Sequence, residues 1–230
     1  MITRLAKYLA LTVVIASRAS AADIVKLPTA PESAAIRGAT ITLAHVGAPR
    51  MFTPGANDAL IAALAGVVGY VASSAVAGST DAPGRISGRG FQDPAIDIGA
   101  RLLPLVKDKY QLSAADSDAT VSPKASVKDV VQAYTGSNVI LDIRTVAWGY
   151  LPVPLHPRLF KTWYRVRLQI IKAPTGQVIG ELNCERMGNA AADFHAYDEL
   201  AADSGQLLKD LLQAMGDSCR DEFSATLAGS

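Results

Sequence analysis

The sequence between residues 163 and 184 constrains the fold more than any other part of the chain, because its pattern predicts a β-hairpin. In WYRVRLQII (163–171), apolar Tyr164, Val166, Leu168 and Ile170 alternate with polar residues. This period of two is typical of a strand with one buried face. The turn residues APTG (173–176) follow, and QVIGELNC (177–184) then places Val178, Leu182 and Cys184 on one face. We therefore expect an antiparallel hairpin whose buried face carries a cysteine.

The second cysteine lies on a predicted C-terminal helix. Apolar or small residues recur there at helical spacing: Leu208, Leu211, Leu212, Met215, Cys219, Phe223 and Thr226. Each cysteine is thus on the core-facing side of its element. In an oxidising compartment these two would form a Cys184–Cys219 disulfide that fastens the last helix to the sheet. The alternative is two free, buried thiols.

The first 21 residues have the order of a secretory signal peptide. Arg4 and Lys7 precede the apolar run YLALTVVIA (8–16), and Ala19-Ser20-Ala21 supplies the small residues that signal peptidase needs. We expect cleavage after Ala21 and a periplasmic protein; the alternative is an N-terminal helix of the fold. No cysteine lies near the cleavage point, which argues against a lipid anchor.

Charge argues against a nucleic-acid partner. Residues 1–21 contain three of the 22 basic side chains and none of the 21 acidic ones, so the mature chain has a net charge of about −2. Half of all residues are hydrophobic, which is enough for one core. We expect an extended lead-in at 22–38, with Pro- and Ala-containing sequence, and a single domain at 39–230.

The predicted elements alternate in a way that indicates an α+β fold. A strand at 39–46 precedes a helix that begins at Asp93-Pro94, where Asp is a good N-cap and Pro suits the first turn. Pro104 should kink or divide that helix. A short helix (126–134), a strand (138–150), a Pro-rich loop (151–160) and the hairpin follow. We predict a two-layer sandwich, with a mainly antiparallel sheet and helices packed on one face.

The segment Ala59–Ala77 (ALIAALAGVVGYVASSAVA) contains no charged residue. Such a helix must be hidden from water, and three sites would hide it: the protein core, an interface between subunits, or the membrane. Burial in the core is the interpretation that we favour. The other two leave open a membrane-associated or oligomeric structural protein.

We find no pattern that specifies a catalytic residue, a metal site or a cofactor. Gly84–Gly90 (GRISGRG) lacks the Gly-Lys-Ser/Thr ending of a P-loop and follows no strand. Asp193, His195 and Asp198 could be imagined as metal ligands, but acidic residues at a helix start usually complement the helix dipole. An enzyme, such as an unrecognised hydrolase acting through these residues, is therefore a remote third hypothesis.

The aromatic passage from 148 to 164 is the best candidate for a binding surface. It contains both tryptophans and nearby cations, and the candidate contact residues are Trp148, Tyr150, Arg158, Phe160, Lys161 and Trp163. The alternative is that Trp148 and Trp163 form a cross-strand pair that closes a hairpin. A neighbouring mixed-charge set should be a solvated strand face: Asp142, Arg144, Arg165, Arg167 and Glu181.

These features together resemble a family of uncharacterised proteobacterial envelope proteins, many of them lipoproteins. The resemblance covers about residues 40–225 and is carried by the early Ala/Gly-rich helix, DPAIDIG (93–99), ILDIRTVAWGY (140–150), the hairpin 163–184 and the final Cys-bearing helix. The order of elements is remotely similar to α/β modules of the curli secretion lipoprotein and the Tol-Pal propeller protein. The resemblance licenses no activity and supplies no catalytic residue. The absence of a catalytic pattern, beside one aromatic loop and one unexplained apolar segment, leads us to expect a non-enzymatic periplasmic module that binds another envelope protein or its own copies.

Overall fold

A computed structural model gives the structure of the chain and describes residues 23–52 and 90–229. The predicted signal peptide and the segment Ala59–Ala77 lie outside the described residues. Within the two described ranges, no helix is both long enough and apolar enough to cross a membrane.

The described residues form one mixed sheet with helices against it. Strands are β1 Asp23–Lys26, β2 Thr40–Val46, β3 Ser113–Ala114, β4 Thr120–Val121, β5 Val139–Val153, β6 His156–Lys172, β7 Gln177–Met187 and β8 Phe194–Ala196. Helices are α1 Ala30–Ile36, α2 Pro94–Tyr110, α3 Val127–Ala133 and α4 Tyr197–Gly229. The sheet order is β1-β7-β6-β5-β2-β3, with β4 paired to β2 and β8 paired to β6. The predicted α+β class is confirmed.

The centre of the sheet is the antiparallel meander β5-β6-β7, as the alternating sequence predicts. Its register pairs Leu168 with Ile143 on one side and with Leu182 on the other. β2 joins the other edge of β5 in parallel. Only β2 and its partners β3, β4 and β5 make parallel pairs among the described strands.

The main core lies between one face of the sheet and the helices α1, α2 and α4. Its buried members include Ile36 of α1, Leu102 of α2 and Leu212 of α4, packed against inward residues of β5 and β6. The short helix α3 lies on the opposite face, where Val130 and Tyr134 cover a second, smaller cluster. The three helices of the main core thus share one face, and α3 adds a local cover to the other.

Helix α2 begins as the sequence predicts. The Asp93 side chain accepts a hydrogen bond from the backbone N–H of Ala95, and Pro94 occupies the first turn. Pro104 does not divide the helix, which continues to Tyr110. Both Pro104 and Ala100, whose carbonyl loses its helical partner, are exposed, so water can solvate that carbonyl.

The predicted disulfide is confirmed. Cys184 of β7 and Cys219 of α4 are bonded, with 5.7 Å between their Cα atoms and a separation of 35 positions in the chain. Both are buried in the main core. The bridge therefore joins the sheet to the last helix, as the two apolar faces predict.

Residues 23–38, the described part of the predicted extended lead-in, form a strand and a helix. β1 pairs with β7, and α1 starts with a capping box in which Thr29 and Glu32 bond each other's backbone N–H groups. Lys26 adds a salt bridge to Glu32 at 2.8 Å. Hydrogen bonds from Lys26 and Thr29 lower the pKa of Glu32 to about 2. The Thr-x-x-Glu spacing of a capping box explains why this Pro- and Ala-containing stretch turns helical.

Candidate binding surface

The six predicted contact residues divide into a buried and an outward group. Trp148, Tyr150 and Phe160 are buried in the main core. Arg158 is exposed, and Lys161 and Trp163 are half-buried. The first group cannot meet a partner directly, so the surface prediction now applies to the second group alone.

The buried aromatic residues stiffen the outer half of the β5–β6 hairpin. Tyr150 and Phe160 meet edge-on, with 5.5 Å between ring centroids, and Tyr197 at the start of α4 contacts both rings. The indole N–H of Trp148 donates to the carbonyl oxygen of Pro49 at 2.8 Å. Because these contacts hold both strands, the hairpin is a fixed support for whatever its tip and outward face present.

Trp148 and Trp163 do not form the alternative cross-strand pair. The register places Trp148 opposite Tyr164 and Trp163 opposite Gly149. Trp148 points into the core, whereas Trp163 is on the outward face and donates its indole N–H to Glu185 at 3.0 Å. One tryptophan therefore supports the hairpin and the other is part of its surface.

The predicted Pro-rich loop at 151–160 is instead the end of the hairpin. Val153 and His156 pair across the strands, and only Pro154 and Leu155 form the turn. Proline is tolerated near strand ends and at sheet edges, so its presence here did not break the strands. We call residues 153–158 the hairpin apex.

Leu155 is the unusual residue of the hairpin apex. Its φ angle is +66°, in the left-handed region, and its side chain is 89% exposed. A proline followed by a residue with positive φ is the pattern of a type II turn, in which the second position favours Gly or Asn. A leucine costs about 1 kcal/mol there. Its exposure shows that no packing against the described residues offsets that cost.

A row of outward side chains runs along β6 from the apex toward the centre of the sheet. Its members are Lys161, Trp163, Arg165, Arg167 and Gln169, and we call it the β6 row. Arg165 is 47% exposed, and its guanidinium lies 4.0 Å from the carboxylate of Glu185 on β7. At that distance and exposure the ion pair is weak.

The mixed-charge face is only partly solvated, which corrects the sequence-based expectation. Arg165 is exposed, but Asp142 and Arg144 on β5 are buried. Arg144 forms a two-pronged salt bridge with Asp142, and its Nη1 donates to the carbonyl oxygen of Ala125 at 2.8 Å. These bonds neutralise the charge of Arg144 and use its donors, because a buried charge needs such partners.

Two groups at the inner end of the β6 row lack partners in the described structure. The Nε–H of Arg167 is shielded from solvent without an acceptor, and so is the Oε1 of Gln169 without a donor. Gln169 is only 5% exposed, and its Nε2 donates to Glu181 at 2.7 Å. Buried polar atoms are nearly always hydrogen-bonded, so this pair of atoms requires an explanation.

A buried polar contact fixes the start of α2 to the root of the hairpin. The hydroxyl of Thr145 donates to the Asp93 carboxylate and lies 3.2 Å from the hydroxyl of Tyr164. Burial raises the pKa of Asp93, and hydrogen bonds from Thr145 and Ala95 oppose that shift. Burial also raises the pKa of Tyr164. The network is enclosed in the core, so it orients the hairpin rather than meeting a ligand.

The residues imagined as metal ligands make other contacts. The Asp193 carboxylate accepts hydrogen bonds from the backbone N–H groups of Asn189 and Ala190, and His195 lies 3.7 Å from Glu199. Across residues 23–52 and 90–229, no three His, Cys, Asp or Glu side chains converge as metal ligands would. The Gly-rich motif at 84–89 lies outside the described residues. The enzyme hypothesis stays untested.

Sequence reasoning missed Leu155 and did not single out Arg167. The signal for Leu155 was present in the sequence VPLH, where Pro-Leu between two strand residues fits the two central positions of a turn. For Arg167, the alternation of polar and apolar residues along the strand predicts only that the side chain faces outward. Its lack of a partner depends on the register of three strands, which no local pattern specifies.

Comparison with known proteins gives matches only among solved structures. No family model matches the chain, and no curated protein matches it. A dodecameric PelC variant from Paraburkholderia phytofirmans is 10% identical, with 77% of this chain and 87% of that chain covered and a TM-score of 0.31. A lipoprotein from Neisseria meningitidis is 10% identical (78% and 99% covered, TM-score 0.26). A DUF330 protein from Xanthomonas campestris is 8% identical (88% and 97% covered, TM-score 0.29).

These TM-scores are below 0.5, so the likenesses carry no argument about function or assembly. The resemblance to the curli and Tol-Pal modules stays a prediction. What the chain does must therefore be argued from the hairpin itself.

Proposed function

We propose that this chain is a non-enzymatic interaction module of the bacterial envelope, exported to the periplasm, and that the hairpin apex contacts its partner protein. The observation that carries the proposal is Leu155, an exposed leucine in a left-handed conformation. Exposed apolar residues on a positioned loop are typical of contact sites.

The energetic argument concerns what Leu155 costs and what would offset the cost. In the isolated chain, its conformation costs about 1 kcal/mol and its side chain stays in water. Burial of a leucine side chain in a partner pocket would contribute roughly 1.5–3 kcal/mol. Backbone strain that nothing in the chain offsets is a recognised mark of functional positions. A contact with a second molecule therefore accounts for a residue that folding alone disfavours.

The surroundings of Leu155 suit a contact that forms without rearrangement. A two-residue turn leaves the apex little freedom, and the Tyr150–Phe160–Tyr197 cluster holds the strands behind it. A pre-organised element loses less conformational entropy on binding than a flexible loop does. Arg158, an exposed residue of the apex, adds a cation that a partner can pair.

The test is site-specific photo-cross-linking in cells of the source organism. A photoreactive amino acid replaces Leu155 in one variant and Ile96 in a matched control, because Ile96 is also a large exposed apolar residue (56%) but lies on α2. We expect a discrete adduct from position 155 and none from position 96. No adduct at 155, or the same adduct from both positions, would refute the proposal.

The mass of the adduct also decides between kinds of partner. A mass of twice the mature chain would identify a second copy, in agreement with the oligomeric alternative. A cross-link to lipid would support membrane association and would contradict a protein partner. Any other discrete protein mass would identify an envelope partner directly.

A further inference from the structure

The outward face of β6 contains cations that no described residue fully neutralises. The side chains of Lys161 and Arg167 make no hydrogen bond or ion pair with any described residue, and that of Arg165 has only its weak pair with Glu185. Trp163 lies between these cations in the β6 row. Trp and Arg are the residues most enriched where binding energy concentrates in protein interfaces.

The strand on each side of the β6 row leaves Arg167 without an anion. On β5 the residue opposite is Arg144, and like charges opposite each other destabilise a sheet. Asp142 neutralises Arg144 but not Arg167. On β7 the residue opposite is Asn183, and the nearby Glu181 already accepts from Gln169 and Asn183. A negative charge from outside the described residues would thus stabilise this position.

The two unpartnered atoms at the inner end of the row are chemically complementary to one kind of group. The Arg167 Nε–H requires an acceptor, and the Oε1 of Gln169, two residues along the same face, requires a donor. Both atoms are shielded from solvent, so the two side chains must turn outward to meet a partner. An extended peptide then offers both groups, because a carboxylate side chain accepts and a backbone N–H donates. Its same-side residues repeat about every 6.7 Å, the spacing of the β6 row.

We infer that the segment of the partner protein that meets the β6 row is extended and acidic, with one carboxylate bound by Arg167. This inference rests on the proposed interaction function and deepens it by giving the chemistry of the partner. Arg167 binds the carboxylate, Lys161 and Arg165 attract further acidic side chains, and Trp163 supplies the apolar contact between them. Arginine suits this role because its planar fork matches a carboxylate.

The test measures binding of the full exported chain to a synthetic 12-residue peptide of alternating Glu and Ser. The control peptide has Gln in place of Glu, and vesicles of equal parts phosphatidylglycerol and phosphatidylcholine form a separate arm. Protein variants are Arg167→Gln, Lys161→Gln and the matched control Arg101→Gln, which removes the same charge from the exposed surface of α2. Affinity is measured at two ionic strengths, and melting temperatures verify that each variant folds.

We expect the Glu peptide to bind and the Gln peptide not to bind, with affinity falling as salt rises. Arg167→Gln should weaken binding by about five- to tenfold, Lys161→Gln by about two- to threefold, and Arg101→Gln not at all. If Arg167→Gln fails to fold, the Lys161→Gln result decides alone. No binding of the Glu peptide at low salt, equal losses in the Arg101 control, or Arg167-dependent binding to vesicles in place of peptide would each overturn the inference. A cross-link to protein at position 155 alongside any of these results would leave the proposed function standing.

Discussion

Reduction of the Cys184–Cys219 bridge should cost the fold about 4 kcal/mol. The bridge joins residues 35 positions apart. In the chain-entropy model a closed loop of that length removes about 13 cal/mol/K from the unfolded ensemble, or about 4 kcal/mol at 25 °C. For a chain of this size the melting temperature should fall by about 8–16 °C. The bridge therefore contributes a large share of the stability typical of such a domain.

The assay is urea unfolding of the protein, monitored by the fluorescence of Trp148 and Trp163 with and without reductant. The reduced protein keeps the packing of both sulfur atoms, so its loss reports the cross-link alone. The variant with both Cys184→Ala and Cys219→Ala should lose slightly more, because the buried sulfurs are also removed. A loss below about 1 kcal/mol in the reduced protein would refute the reasoning, since it would show that the unfolded chain gains little freedom.

Three substitutions test other parts of the structure. Asp93→Asn keeps the N-cap but removes a buried carboxylate whose pKa is raised, so the contribution of this group to stability is greatest below pH 3.8 and falls as pH rises. The variant should melt at or above the native temperature at pH 7, with the difference vanishing below about pH 4. Gly149→Ala should lower the free energy of unfolding, measured by chemical denaturation, by about 2–3 kcal/mol, because its φ is +138° and a Cβ would lie 2.0 Å from the carbonyl oxygen of Phe52. The control Gly136→Ala should change this free energy little, because a Cβ there contacts no atom within 4 Å. Leu155→Asn should raise the free energy of unfolding by up to about 1 kcal/mol, because asparagine suits a positive φ. The same substitution should abolish the interaction with the partner, which is then detected with the photoreactive amino acid placed at nearby Arg158. A lower free energy of unfolding would show that Leu155 is not strained.

Much of the fold could be predicted because its signals are local. The alternation in 163–171 specifies which side chains of β6 face the core, and the same reasoning places Cys184 and Cys219 on facing surfaces. Asp93-Pro94 marks the start of α2 by hydrogen-bonding chemistry that involves only neighbouring residues. Where a structural feature depends on residues within one turn or one strand, the sequence is sufficient.

Predictions failed where distant residues decide the outcome. Prolines at 152, 154 and 157 indicated a loop, but the Tyr150–Phe160–Tyr197 cluster stabilises continued pairing of β5 and β6. Trp148 and Phe160 were candidates for a binding surface because aromatic residues beside cations on a loop are typical of contact sites. The strand register and the start of α4, 37 residues beyond Phe160, bury them instead.

The two faces of the hairpin lead to a final prediction, that stability and binding can be separated. Cys184 and the disulfide belong to the inward face, whereas Arg167 and the rest of the β6 row face outward. The backbone of β6 is held between β5 and β7 by hydrogen bonds that do not involve the sulfurs. At a temperature well below its lowered melting temperature, the reduced protein should therefore bind the Glu-Ser peptide with an affinity within about twofold of that of the oxidised protein. The reason is that the affinity of the native state depends on surface geometry, whereas the disulfide constrains the unfolded chain. A larger loss would mean that the bridge to α4 shapes the β6 row through the sheet, and the outward face could then no longer be treated as independent of the core beneath it.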